Sequence, residues 1–171
     1  MSDQASPSNP SHCSDPERLR VDHAILKKLG HWTDARAFDL HARRSSVVLD
    51  LRSPRLPTDL EITVRLDHAA LTLLVPDHAD LDADELSWTG KGRVHDEGGQ
   101  VGHERIRMTG SAHDSQVRVR RAGSAQVTAM LSREYLRDVR ASRRAGRYPT
   151  VDDPRRDARA RPPHGGHSPT E

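Results

Sequence analysis

Four arginines near the C-terminus, Arg133, Arg137, Arg140 and Arg144, recur every three or four residues. That spacing places side chains on one face of an α-helix. A row of guanidinium groups can pair with carboxylates, phosphates or anionic lipid headgroups. Duplex nucleic acid would be met by the same chemistry, although no run of aromatics interleaves with these arginines as in single-strand binders. Asp152, Asp153 and Asp157 dilute the charge further on. The plainer account of the same spacing is a solvated helix face. These four arginines are the candidate interaction surface.

Other constellations carry less. His68, His78, His95, His103 and His113 are scattered, with no His-x-x-x-His pair and no cysteine among them. His68 and His113 precede equivalent strands and could stack on one face, but surface histidines explain the pattern as well; His164 and His167 are weaker still. Asp80, Asp82 and Asp84 alternate like calcium ligands, yet the sixth and twelfth positions of such a loop hold Glu85 and Lys91 instead of Gly and Glu. Ser45, Ser46 and Asp50 lack the Gly-x-Ser-x-Gly elbow of a hydrolase. Gly98–Gly102 lacks the Gly-Lys-Ser/Thr of a phosphate-binding loop. No catalytic residue, metal ligand or cofactor is therefore assigned, and an enzyme is the least supported class.

The elements that must position these residues follow from composition and period. Of 171 residues, 33% are hydrophobic and 3% aromatic, with a net charge of +2. A typical domain is roughly 45–50% apolar, so a thin core of Val, Leu, Ile and Ala is expected. The single cysteine, Cys13, can form no internal disulfide, which suits a reducing compartment. No apolar run is long enough for a membrane span and no signal peptide is evident. The expected location is cytoplasmic, with membrane association only through partners.

Residues 1–13 read as a disordered tail. Residues 14–30 read as a helix, with Ser14 as cap, a Val21–Ile25–Leu29 stripe, and Gly30 at its end. From 31 to 123 the period becomes alternating. Segments beginning at Ser45, Ala69, Gly92 and Ser115 resemble one another, at intervals of 24, 23 and 23 residues. A preceding strand repeats as well: Phe38/Leu40, Ile62/Val64, Leu86/Trp88 and Ile106/Met108. One repeat of this length holds two or three short strands and cannot bury its apolar face alone; stacked repeats can. Alternation puts Val47, Leu49 and Leu51 on one face and Val48, Asp50 and Arg52 on the other. Periodicity alone admits both a β-solenoid and an antiparallel sandwich. Residues 124–146 return to helical spacing, with a Val127, Met130, Leu131, Tyr135, Leu136, Val139 stripe. Residues 147–171 read as a second disordered tail. Capping the open ends of the strand stack, or covering an edge, is the most economical role for two flanking helices.

The strand Val47-Val48-Leu49-Asp50-Leu51-Arg52, the strand Leu73-Leu74-Val75-Pro76, and Ile106–Val119 with Gly110 inside resemble the C-terminal domain of LiaF-like proteins, the cell wall-active antibiotics response family. The likeness covers about residues 30–121. It implies an all-β, right-handed β-solenoid of about four coils, here with flanking N- and C-terminal helices. It also implies a non-catalytic regulatory module acting by protein contact in envelope-stress signalling, with a two-component signalling protein as a partner. The chain departs from the family in carrying no transmembrane helix. Two other expectations stand beside this one: a binder of nucleic acid or anionic membrane surface through the basic helix, and a homo-oligomeric, self-assembling scaffold.

Overall fold

A computed structural model describes residues 15–99 and 102–156. The chain forms a β-solenoid of about four turns followed by two helices. Each layer gives strands to two parallel sheets. β1 (Glu17–Asp22) and β2 (Ile25–Lys28) make the first layer. β3 (Ala37–Arg43) with β4 (Ser46–Asp50), and β5 (Asp59–Asp67) with β6 (Ala70–Leu74), make the next two. A broken layer follows, β7 (Ala79–Asp82), β8 (Leu86–Thr89) and β9 (Arg93–Asp96). β10 (Glu104–His113) and β11 (Gln116–Arg120) complete the set.

The repeat markers stack as the sequence requires. Ser46 pairs with Ala70, Gln116 with Ala70, and Gln116 with Arg93, which aligns Ser45, Ala69, Ser115 and Gly92 one residue earlier. Phe38 and Leu40 lie beside Ile62 and Val64. Two assignments slip by one pleat: Ile62 lies beside Met108, and Leu86 stands at the level of Val64 through Gly110. A slip of two keeps each side chain on its expected face.

The layers do not stack in chain order. One sheet runs β1-β3-β5-β10-β7, with β8 also on β10; the other runs β2-β4-β6-β11-β9. The last layer is inserted between β5/β6 and β7–β9. Burial explains the choice. Ile106, Met108, Ala112, Val117 and Val119 are all buried, so β10 and β11 need neighbours on both sides. β9, Arg-Val-His-Asp, is exposed or half-exposed throughout and tolerates an edge. Short, charged edge strands also blunt pairing with other chains. β10 changes neighbour midway, from β7 at Glu104–Arg107 to β8 at Gly110–His113. At that change Gly110 has φ +114°, and a Cβ there would lie 2.0 Å from the Val64 carbonyl oxygen. Only glycine fits.

The expected helix at 14–30 is replaced by β1 and β2. Leu19 and Val21 are buried while Arg18, Arg20 and Asp22 are exposed, a period of two. Leu19 pairs with Leu40 and Val21 with Ala42. The supposed Val21–Ile25–Leu29 stripe does not form, because His23 turns the chain with φ 49° and Ile25 is 73% exposed. Pairing to the free edge of β3 and β4 outweighs a weak local helix preference.

The C-terminal helix is two helices, α1 (Ala122–Met130) and α2 (Arg133–Arg144). Ser132 separates them: its hydroxyl donates to the Ala129 carbonyl at 2.6 Å and accepts from the Tyr135 N–H at 3.0 Å, capping α2. α1 does not cap an end of the stack. Ala125 and Ala129 pack on Leu74, flanked by Leu29 and Val48, which places α1 across the outer face of the β2–β4–β6 sheet.

Asp50 alternates outward as expected, yet it is fully buried. Its carboxylate accepts from the Gly30 N–H at 3.1 Å and from Arg52 Nε and Nη2, both at 2.9 Å. Arg52 also donates to the carbonyls of Asp152 and Val151. The expected disorder from 147 is thus corrected for residues 147–156: that segment docks through Arg52, and through Asp138, which accepts from the Thr150 and Val151 N–H groups. The 1–13 tail, the part of 147–171 beyond 156, Cys13, His164 and His167 lie outside the described residues.

Candidate functional site

The helical pair presents the first candidate surface. The C-terminal segment and Asp138 hold α2, and the small side chains of Ala125 and Ala129 let α1 approach the sheet closely. The remaining faces meet solvent. Arg133, Arg137, Arg140 and Arg144 are all exposed, and none joins an ion pair among the described residues. The apolar stripe expected to pack inward stays partly outside. Leu131 is 80% exposed, Val127 55%, Leu136 54% and Met130 42%. Leu136 borders the arginine face, three residues from Arg133 and four from Arg140, so an apolar group flanks the cationic ones. The sequence singled out the arginines; it missed the exposed leucines, because a stripe of that spacing ordinarily packs.

A second candidate lies along the corner where one sheet hands the chain to the other. His23, Arg44, His68 and Asp114 all have φ between 42° and 49°, and Gly90 has φ 73°. The repeat brings this left-handed turn to one column. A groove of about 830 Å³ runs beside it, floored by Ser45, Ala69, Gly92 and Ser115 and edged by Arg44, Lys91 and Arg93. Ser115 Oγ accepts from the Ala69 N–H and donates to the His113 carbonyl. Ser45 Oγ, in the equivalent place, is buried without a hydrogen-bond partner.

Within that column His68 and His113 stack edge to face, 5.3 Å between ring centroids. Asp67 and His113 are paired directly across β5 and β10. The His68 hydrogen bond is the main reason that the Asp67 carboxyl lies below the usual carboxylate range. For Asp114 the main cause is the Lys91 N–H, with both imidazoles adding to it.

The remaining sequence candidates are dispersed. His78 faces Glu104 at 3.2 Å. Asp82 accepts from the Asp84 N–H in a local turn at the edge layer. Both Asp50 oxygens are occupied by Gly30 and Arg52. A second buried arginine, Arg121, joins Asp96 through Nε at 2.9 Å and Nη2 at 2.8 Å, and reaches the carbonyls of Pro76 and Ala79, pinning the edge layer to the inserted one. No helix of the described residues is long and apolar enough to cross a membrane. No family model matches the chain, and no curated protein or solved structure matches it.

Proposed function

We propose that the protein is a non-catalytic interaction module whose solenoid carries a docking face formed by α1 and α2. The observation that supports this most is the exposure of Leu131 and Leu136 in the same short helical stretch as the exposed Arg133, Arg137 and Arg140. Arginine beside large apolar groups is the composition of interface centres, and charge complementarity favours an acidic protein partner. An amphipathic basic helix also suits an anionic membrane surface, which makes vesicles the competing target. The likeness of Val47–Arg52 and Leu73–Pro76 to LiaF-like domains adds a setting, control of an envelope-stress two-component system, in which a signalling protein would be the partner.

The test compares the full chain with Leu131→Asp/Leu136→Asp and with Arg133→Glu/Arg137→Glu/Arg140→Glu in affinity capture from the source organism, at two salt concentrations. A defined partner should be retained by the wild type, lost by both variants, and weakened by salt. The same partners on all three proteins would refute the reading. Flotation with anionic vesicles or retention of duplex DNA, each lost in the arginine variant, would replace it with a membrane or nucleic-acid surface.

A further inference from the structure

We propose that His68 and His113, together with the carboxylates of Asp67 and Asp114, form a binding site for a divalent transition-metal ion of the zinc class. Asp67 and His113 lie in register on adjacent strands, so the dipeptide Asp67-His68 on one layer faces His113-Asp114, its reverse, on the next. Asp67, His68 and His113 can each offer one ligand atom, all within 4.8 Å of one another. Asp114 Oδ2 adds a further oxygen, 3.6 Å from His68 Nε2 and 3.4 Å from His113 Nε2. A tetrahedral ion with bonds of ~2.0–2.1 Å separates its ligand atoms by about 3.3–3.4 Å, so ligand atoms now as far as 4.8 Å apart draw together on binding.

Hydrogen bonds at Nδ1 orient both rings: His68 Nδ1 lies 2.8 Å from Asp67 Oδ1, and His113 Nδ1 lies 3.1 Å from Thr89 Oγ1. Thr89 is an outer partner of the kind that sets tautomer and direction at histidine metal sites, while Asp67 is both neighbour and ligand. Asp114 Oδ1 accepts from the Lys91 N–H at 2.7 Å, which leaves Oδ2 toward the imidazoles. Two imidazoles with carboxylate oxygens suit Zn²⁺, Ni²⁺, Co²⁺ or Cu²⁺ better than Mg²⁺ or Ca²⁺. Arg43, 3.4 Å from Asp67 Oδ2, and Lys91 in the adjoining groove oppose a cation and keep the site moderate in affinity.

The site is tested by titrating the full chain with Co²⁺ near neutral pH, reading the visible absorption, and displacing it with Zn²⁺. One ion per chain with a four-coordinate spectrum is expected. His68→Ala and His113→Ala should each weaken it at least about tenfold, and Asp114→Asn similarly. The wild-type imidazole resonances of His68 and His113 should move on adding Zn²⁺, a readout that needs no variant. The proposal is overturned by absence of saturable binding in the micromolar range, by unchanged binding in the His68→Ala/His113→Ala double variant, or by shifts confined to other histidines.

Discussion

Replacing Gly110 with alanine tests the inserted layer directly. In the observed register the new Cβ would sit 2.0 Å from the Val64 carbonyl oxygen and 3.0 Å from the Val64 backbone N and C. A φ of +114° adds strain of about 1–3 kcal/mol for a residue bearing a Cβ. Backbone cannot swing aside as a side chain does, so β10 and β5 must separate in the middle of the sheet, an overpacking penalty of a further ~1–3 kcal/mol. A total of about 2–6 kcal/mol would lower the melting temperature by about 4–24 °C at ~2–4 °C per kcal/mol for a chain of this size. The control is Gly98→Ala. Its φ is +77° but nothing lies within 4 Å of the built Cβ, so only strain of roughly 1–2 kcal/mol applies. Calorimetry and urea unfolding of both variants decide the matter. Equal, small losses in the two would show that β10 does not run beside Val64, and the stacking order would have to be abandoned.

Asp50→Ala strips Arg52 of its buried partner and should destabilise by about 3–5 kcal/mol in urea titration, whereas Asp50→Ala/Arg52→Met should recover much of the loss. In the Asp50→Ala variant, limited proteolysis should also cut within 147–156 sooner, since Arg52 anchors that segment. The Asp96 carboxyl is held below the usual range chiefly by its hydrogen bond from Arg121, with burial opposing. A depressed folded value means that its contribution is complete above the ordinary carboxyl value of about 3.9 and is lost as pH falls through the folded one. The melting temperature should therefore drop on acidification below about pH 4, less steeply in Asp96→Asn; Glu97, Asp67 and Asp114, also lowered, keep part of the slope. Phe38→Ala removes the chain's one phenylalanine, buried and 5.4 Å from the Trp32 ring; a loss of about 3–5 kcal/mol with a red shift of tryptophan emission is expected.

The alternation of Val47, Leu49 and Leu51, and the 23–24-residue recurrence of Ser45, Ala69, Gly92 and Ser115, were enough to set these strands, their inward faces and the alignment of the corner markers, though not the register of the Leu86 and Ile106 strands. Those patterns are local, and parallel stacking preserves them whatever the order of the layers. For the same reason they could not say which layer neighbours which. The N-terminal Leu19–Val21 strand was missed because its capping and spacing suit a helix until β3 offers a partner edge. Asp50 read as an outward polar position because the segment that buries it, 147–156, arrives from the far end of the chain. The four arginines were legible from spacing alone, but the unpacked leucines beside them were not, since exposure is decided by what the fold leaves uncovered. The histidine pair depends most on tertiary structure. In chain order, the Thr89–Lys91 corner would stand between His68 and His113, leaving two strand spacings, about 9–10 Å, between their layers. Insertion of β10 beside β5 removes that layer and brings the imidazoles together. A buried inserted layer and an exposed edge layer differ in how much apolar surface each must hide. That difference, which only the whole stack can weigh, set the order and with it the corner.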